Sequence, residues 1–293
     1  MTLRIGIDIG GTKVLAGVVE DGHVLRLATA ETPGRSVPVS EVERVLADVV
    51  HRVAEGDPVA SVGLAAAGFV DETRRRVAFA PHLPWRGDDV VTRLSDRLGC
   101  SVALDNDANC AALAESRLGA ARGAGSALLV TLGTGIGGAV LHRGELWRGA
   151  GGMAGEFGHA QVVPGGRPCE CGQVGCWEQY CSGNALRRAA PGFADGPAVT
   201  AAAHAGDPTA LAAYAEIGGW LGIGLANLVA AFDPELVVIG GGVSAAGDLL
   251  LGPAREMLAT RLVGGPFRTI PSIVVATFGP RAGMIGATLL DPA

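Results

Sequence analysis

One short pattern occurs twice in this sequence: an apolar strand, a glycine-rich turn and a second apolar strand. The first copy covers residues 5–19, with its turn at 10–13, and the second covers residues 126–142, with its turn at 133–138. A repeat of this kind indicates an internal duplication, in which two similar halves face one another across a cleft. The repeat therefore predicts two domains built on related sheets.

The rest of the chain alternates predicted strands with predicted helices, which is typical of an α/β protein. Ser40 and Glu43 fit a capping box, and an apolar stripe follows them, so a helix is expected from about residue 40 to Gly56. A domain boundary is expected near 119–125. We predict a small N-terminal domain over 1–120 and a large domain over 121–280.

Composition narrows the class of protein. The net charge is −6, which argues against a nucleic-acid partner. A buried-strand pattern starts at Leu3, so no signal peptide is expected, and the uncharged stretch 217–232 is too short to span a membrane comfortably. Its glycines favour a closely packed core helix. Six cysteines without an export signal favour the reducing cytosol, and we predict a cytoplasmic protein with no membrane partner.

Three of those cysteines lie in a Gly- and Pro-rich segment that also carries a histidine. We call residues 159–176 the metal loop; it contains His159, Cys169, Cys171 and Cys176. One imidazole and three thiolates fill a tetrahedral shell for Zn²⁺, and a closed shell of this kind is structural. A metal here would fix two nearby carboxylates, Glu156 and Glu178. The sequence therefore predicts a structural zinc that organises a loop beside a site.

The two glycine turns predict phosphate binding. Glycines let backbone N–H groups approach an anion closely, Thr12 and Lys13 add a hydroxyl and a charge, and Asp8 can hold Mg²⁺ through water. One Gly-Gly-Thr turn is a weak signal, but two such turns, one from each half-domain, predict that the chain binds a polyphosphate. The candidate residues are Asp8, Gly10, Gly11, Thr12, Lys13, Gly133, Thr134, Gly135 and Gly137.

Asp105-Asn106-Asp107 stands where a buried strand is expected to end and a helix to begin. One of the acids is expected to cap the helix, but three polar residues exceed what a cap requires, and ligands of open α/β sheets bind at this edge. A carboxylate there can accept the proton of a hydroxyl that attacks a γ-phosphoryl group, and we assign that role to Asp107, with Asn106 orienting the hydroxyls.

Glu156, His159 and Glu178 suit the recognition of neighbouring hydroxyls, because carboxylates accept and an imidazole donates at fixed angles. His159 can bind zinc through one nitrogen and donate from the other. The sequence thus predicts one site where glycine turns hold phosphate and another where acids and a histidine hold a polyol. Together the two sites predict a sugar kinase.

Several motifs in one order carry a family resemblance. The chain resembles the ROK family of repressors and sugar kinases. The matching motifs are DIGGTK (8–13), LDNDAN (104–109), LGTGIGG (132–138), GEFGH (155–159), CECGQVGCWE (169–178) and IGGGVS (239–244).

The resemblance implies an actin- and hexokinase-like (ribonuclease H-like) two-domain fold and ATP-dependent phosphorylation of a hexose 6-hydroxyl. It implies that Asp107 is the general base and that Gly241 and Gly242 contact adenosine. It also implies that a last helix, about 281–293, packs back onto the small domain, and it favours a homodimer or homotetramer. The residues expected at the sugar are Gly68, Asn106, Asp107, Glu156, His159 and Glu178.

Two positions depart from the common family pattern: Ala67-Gly68 replaces Pro-Gly, and His82 replaces an Asn before Leu-Pro. The histidine is similar to that of actinobacterial glucokinases, which favours glucose. N-acetylglucosamine, mannose and fructose remain alternative substrates, and polyphosphate remains an alternative donor.

A sugar-sensing repressor-like protein is disfavoured because the phosphate turn comes by residue 8. A zinc-bearing interaction module would leave both glycine turns unexplained.

Overall fold

The computed structural model describes residues 2–291 as an α/β chain of thirteen strands and eight α-helices. The strands are β1 (Leu3–Ile9), β2 (Lys13–Glu20), β3 (His23–Glu31), β4 (Val59–Ala66), β5 (Phe69–Val70), β6 (Arg76–Phe79), β7 (Asp88–Asp89), β8 (Ser101–Asn106), β9 (Ser126–Leu132), β10 (Ile136–His142), β11 (Glu145–Trp147), β12 (Leu236–Gly240) and β13 (Ser272–Val275). The helices are α1 (Val39–Ala54), α2 (Val90–Leu98), α3 (Asp107–Leu118), α4 (Gly183–Ala189), α5 (Gly196–His204), α6 (Pro208–Phe232), α7 (Asp248–Arg261) and α8 (Ala282–Ala287).

By their internal contacts the described residues form two compact units. The first unit contains residues 2–123, 139–155 and 280–291, and the second contains residues 124–138 and 156–279. The domain division inferred from the sequence, with its boundary near residue 120, stays a prediction.

The first unit is built on a five-stranded sheet of order β3-β2-β1-β4-β8. The first three strands run antiparallel, and β4 and β8 continue the sheet in parallel with β1. Alternating isoleucines of β1 are fully buried, and α1 covers the sheet with the apolar stripe that the sequence predicts, Val42, Leu46, Val49, Val50 and Val53. Parallel β1, β4 and β8 bring their carboxyl ends to one edge, where polar residues collect.

The start of α1 differs from the prediction. Pro38 is its N-cap residue and no side chain caps it, so the predicted capping box of Ser40 and Glu43 is wrong. Glu43 is instead buried and pairs with Arg93 on α2, with Arg97 Nη2 3.7 Å from its other oxygen. A buried carboxylate needs a charged partner, and this tertiary need overrides the local capping pattern.

The second sheet repeats the arrangement of the first. Its order is β11-β10-β9-β12-β13. If the strands of each sheet are numbered along the chain, both sheets have the spatial order 3-2-1-4-5. β12 runs parallel to β9 and to β13, and β10 pairs antiparallel with β11. The predicted internal duplication is therefore confirmed.

The C-terminal helix α8 lies directly on bare backbone of the first sheet. A Cβ atom on Gly6 would lie 2.1 Å from the carbonyl oxygen of Met284, and one on Gly63 would lie 1.8 Å from that of Ala287. Only glycine permits so close an approach of helix to strand. The helix was expected over about 281–293; α8 ends at Ala287, and residues 292 and 293 lie outside the described residues.

Among the described residues one helix, α6, is long and apolar enough to cross a membrane by length and composition. Half of its most apolar stretch is buried inside the protein. It packs on α7 through glycine: a Cβ on Gly222 would lie 2.4 Å from the carbonyl oxygen of Ala254. This packing confirms the predicted core helix.

Candidate active site and metal centre

The strand-end cluster (Asp8, Asp105, Asn106 and Asp107) lies at the polar edge of the first sheet. Register places it there, because Asp8 of β1 pairs with Ala65 of β4, and Ala65 pairs with Asp105 of β8. The three residues form one row across the parallel strands. Asn106 and Asp107 follow immediately, at the junction of β8 and α3.

Asn106, and not one of the acids, caps α3. Its Oδ1 accepts hydrogen bonds from the backbone N–H of Ala108 (2.8 Å) and Asn109 (3.2 Å). Its Nδ2 donates to the carbonyl oxygen of Gly68 at 3.1 Å, which brings the predicted Gly68 beside the cluster. The expectation of an acidic cap was therefore wrong: the amide takes this role, and Asp107 becomes the first residue of the helix.

Burial changes the protonation of two carboxyls in this cluster. Desolvation raises the pKa of Asp107 to about 6, although a hydrogen bond from the Ala108 N–H opposes the rise. Desolvation, and secondarily the negative charge of Asp107, raises the pKa of Asp8 to about 7. Gly283 of α8 contributes to the covering of Asp8, since a Cβ there would lie 2.5 Å from the Asp8 carboxylate. Two neighbouring acids with raised pKa values mark a candidate functional site.

The first glycine turn joins β1 to β2. Gly10 N–H donates to the Lys13 carbonyl oxygen at 3.0 Å, and Thr32, directly after β3, holds the turn by donating its hydroxyl to the Gly10 carbonyl oxygen at 2.8 Å. Thr12 and Lys13 are exposed. A Cβ on Gly11 would lie 3.0 Å from the His82 ring, so this face of the turn is closely packed.

The second unit carries the other glycine turn and the predicted adenosine segment. Gly133 N–H donates to the Gly135 carbonyl oxygen at 3.0 Å, and Thr134 lies between them in the connection from β9 to β10. The predicted turn over 133–138 is shorter in the structure, because Gly137 already belongs to β10. Gly241, after β12, has a φ of 79°, and a Cβ there would lie 2.4 Å from the carbonyl oxygen of Leu132. The structure therefore brings Gly241 and Gly242 to the end of β9 where the turn begins.

The four predicted metal ligands of the metal loop come together. The ligand atoms of His159, Cys169, Cys171 and Cys176 all lie within 4.8 Å of one another. Cys169 Sγ is 3.8 Å from His159 Nδ1, and the Sγ atoms of Cys171 and Cys176 are 3.6 Å apart. Tetrahedral zinc, with bonds of about 2.0–2.3 Å, places its ligand atoms roughly 3.5–3.8 Å apart. The donor set and its spacing fit a structural zinc ion.

Glu156 and Glu178 both lie beside His159. Nδ1 of His159 faces the cysteines, which leaves Nε2 on the other side, 4.0 Å from Glu156. Glu178 lies 3.9 Å from Nδ1 and reaches the second glycine turn, where the Ile136 N–H donates to it at 3.4 Å. Within the second unit, one carboxylate therefore links the metal loop to the glycine turn.

The family model of the ROK family matches residues 4–293. The chain belongs to the ROK family. A glucokinase of Streptomyces coelicolor is 40% identical over 98% of this chain and 96% of its own length. The crystal structure of a ROK family glucokinase from Streptomyces griseus, in complex with glucose and AMPPNP, covers 98% of both chains with a TM-score of 0.91 and 40% identity. A xylose repressor of Bacillus subtilis is 27% identical over 92% of this chain and 72% of its own.

The match to solved ROK kinases confirms the predicted fold class, an α/β protein of the two-domain, actin- and hexokinase-like type. The predicted site residues divide between the two units. Asp8, the first glycine turn, Gly68, Asn106 and Asp107 belong to the first unit, and the second turn, Glu156, the metal loop, Glu178, Gly241 and Gly242 belong to the second.

Two residues at this ROK site were missed by the sequence analysis. Thr32 holds the first glycine turn, and Arg148 forms an ion pair with Asp105. Thr32 lies 22 residues from its partner and Arg148 lies 43 from Asp105. No local spacing signals such pairs; the unusual density of acids at 105–107 was the one available hint that a cation lies nearby.

Proposed function

We propose that this chain is an ATP-dependent glucokinase that transfers the γ-phosphoryl group of ATP to the 6-hydroxyl of glucose. The observation that carries the proposal is Asp107, a carboxyl at the junction of β8 and α3 whose pKa burial raises to about 6. A base with this pKa is ionised at neutral pH and still strong enough to accept a proton from a hydroxyl during attack. The 40% identity to glucokinases over nearly the whole chain supports glucose as the substrate.

In this proposal the sugar is held by polar side chains and one glycine. Glu156, His159 and Glu178 accept from and donate to neighbouring hydroxyls, and Gly68 lies beside the ring. Asn106 contributes the second hydrogen of its amide, since the first is donated to Gly68. Asp107 then accepts the proton of the attacking hydroxyl, which increases the nucleophilicity of its oxygen.

The nucleotide is held by backbone amides and small side chains. The proposed ATP contacts are Asp8, Gly10, Gly11, Thr12, Lys13, Gly133, Thr134, Gly135, Gly137, Gly241 and Gly242. Mg²⁺ would neutralise charge that develops on the phosphates during transfer. Asp8 fits a role in holding it through water, because two crowded carboxyls with raised pKa values favour a cation between them and the phosphates.

His159, Cys169, Cys171 and Cys176 are proposed to hold a structural Zn²⁺. A closed shell of four protein ligands supplies rigidity and leaves no position for substrate. The metal loop would in this way fix His159 and the adjoining Glu156 and Glu178 at the sugar.

We also propose a cytoplasmic location and a homodimer or homotetramer, without nucleic-acid or membrane partners. All six cysteines are free thiols, which suits a reducing compartment. The oligomeric state is measured by light scattering of the purified protein.

A coupled assay of ATP turnover with glucose, N-acetylglucosamine, mannose and fructose tests the proposal. We expect glucose to give the highest kcat/KM, and substitution of polyphosphate for ATP to lower the rate. Turnover led by another hexose would keep the mechanism and replace the substrate. Sugar binding by calorimetry without turnover of any of them would overturn the kinase assignment in favour of a repressor-like sugar-binding protein.

A further inference from the structure

Arg148 forms the closest ion pair of the strand-end cluster. It follows β11, and its Nη2 and Nε lie 2.7 and 2.8 Å from Oδ2 of Asp105. The Asp105 side chain is only 2% exposed, and that of Arg148 is 27% exposed. A buried carboxylate held by two guanidinium nitrogens is fixed in direction as well as neutralised in charge.

The other oxygen of Asp105 organises the chain that follows it. Oδ1 accepts hydrogen bonds from the backbone N–H of Asn106 and from Nδ2 of Asn109, each at 2.9 Å. These bonds join the last residues of β8 to the first turn of α3. Arg148 therefore acts, through one carboxylate, on the backbone segment that carries Asn106 and Asp107.

We propose that Arg148 is a positioning residue for phosphoryl transfer: by holding Asp105, it fixes the turn from β8 into α3 that presents Asp107 to the substrate hydroxyl. The inference rests on the proposed kinase function and adds to it a residue that the sequence motifs do not contain. A misplacement of the base by about 1 Å is enough to lower turnover by roughly 10²-fold.

The charges around Asp107 give Arg148 a second effect. Asp8 from β1, Asp105 from β8, Cys110 from α3 and Arg148 from the segment after β11 form one electrostatic cluster with it, in which Arg148 is the cation. With Arg148 present, Asp105 is a compensated charge. Without Arg148, Asp105 adds an unpaired negative charge beside Asp107 and disfavours the ionised, basic form of that residue.

Arg148 is itself held in place by its own segment. The Ala154 N–H donates to the Arg148 carbonyl oxygen at 2.9 Å, and a Cβ on Gly152 would lie 2.7 Å from the carbonyl oxygen of Val70 in β5. The segment 148–155 thus forms a closed loop against the first unit, and it leads directly along the chain to Glu156. Arg148 is therefore presented to Asp105 from a defined backbone.

The test compares Arg148→Met, Arg148→Lys and the double variant Asp105→Asn/Arg148→Met with the wild type. We expect Arg148→Met to lower kcat by roughly 10²-fold, with KM for glucose changed less than about threefold, and to move the acid limb of the kcat/KM profile to higher pH. Arg148→Lys keeps the positive charge, so we expect the acid limb to stay at its wild-type pH while kcat falls by about tenfold. The double variant removes both charges, so we expect its acid limb to return to the wild-type pH.

Arg117→Met is the matched control, because Arg117 also pairs with an acid in this unit, Glu145 at 2.9 Å, but both partners are exposed. We expect it to keep wild-type kinetics. If Arg148→Met does not fold, the lysine and double variants carry the test. Wild-type kcat and an unchanged acid limb in the Arg148 variants that fold would overturn the proposal, since the ion pair would then be structural only.

A measurement that does not depend on turnover separates this inference from the kinase assignment. Carbon-13 NMR titration of the Asp107 carboxyl, assigned with Asp107→Asn, should show a higher pKa in Arg148→Met than in the wild type. If the wild type phosphorylates no hexose but this shift occurs, the kinase assignment fails and the electrostatic role of Arg148 stands. If the wild type is active and no shift occurs, the electrostatic role fails.

Discussion

The strand-end cluster and the metal loop are both polar sites, but they are held in place differently. In the cluster, Asn106 caps a helix, and Asp105 at the end of β8 is bonded to backbone and a side-chain amide at the start of α3 and to the guanidinium of Arg148 from the loop after β11. In the metal loop, the described backbone has two isolated β-bridges, Gln161↔Cys176 and Pro168↔Val174. His159 is the last residue of one short 3-10 helix, and Cys176 directly precedes another. Strand ends and a helix start hold the strand-end cluster in place, whereas the metal loop has little regular structure, so we expect the loop to depend on the proposed zinc for its conformation.

The largest expected effect comes from the cluster. Asp107→Asn should lower kcat by roughly 10²–10⁴-fold because general-base assistance is lost, while the dissociation constant for glucose changes little. Steady-state kinetics and calorimetry measure the two quantities. Asp96→Asn, on the exposed face of α2, is the control and should behave as wild type. Near-normal turnover of Asp107→Asn would remove this residue from the role of base.

The next effect tests the dependence of the loop on its metal. Cys171→Ser removes one of four ligands, so we expect loss of bound zinc by elemental analysis and a KM for glucose raised by about tenfold or more. The acid limb set by Asp107 should be unchanged, because the cluster is organised independently. Cys100→Ser, outside the metal loop, is the control. A well-folded wild type without zinc would contradict this view of the loop.

A smaller and more graded effect is the pH dependence of the wild type. Asp107 must be deprotonated to act as a base, and its pKa is raised to about 6. We expect kcat/KM to be half its maximum near pH 6, to fall by about tenfold per pH unit below about 5 and to be flat above about 7. An acid limb near 4, the value of an ordinary aspartate, would show that burial does not shift this carboxyl in the free enzyme.

The smallest effect is on stability. Because the folded-state pKa of Asp107 is raised above its unfolded value, the carboxyl ionises first in the unfolded protein, and the free energy of unfolding falls as the pH rises from about 4 to about 6. Asp107→Asn should therefore be more stable than wild type at pH 8, by about 3 kcal/mol, and the difference should vanish below pH 4. Urea unfolding at the two pH values, without nucleotide or Mg²⁺, measures it. A constant difference would assign the effect to packing.

What the sequence predicted well was local or repeated. The two glycine turns, the apolar stripe of α1 and the metal-ligand spacing are readable because each depends on neighbours along the chain. The capping box failed because Glu43 has a stronger tertiary demand, its pairing with Arg93 across two helices. The edge strand β3 was not identified, since its exposed positions weaken the apolar pattern.

The candidate site follows the same rule. Spacing within motifs indicated Asp107 and the four metal ligands, and the structure places those ligands together. Arg148 and Thr32 could not be predicted, because their partners lie far along the chain and only the tertiary fold brings them close. The prediction of an acidic cap was wrong for a simpler reason. The amide of Asn106 both accepts hydrogen bonds from two backbone N–H groups of α3 and donates one to the carbonyl oxygen of Gly68, and a carboxylate cannot donate.

The contact of α8 with Gly6 and Gly63 has a consequence for the synthesis of this chain. The face of the first sheet that α8 covers includes β1 and β4, which are translated long before α8. During translation of the intervening 200 or so residues that apolar face lacks its native partner, the situation in which large proteins need chaperones or misassemble. The first unit is therefore completed only after the second unit has been translated.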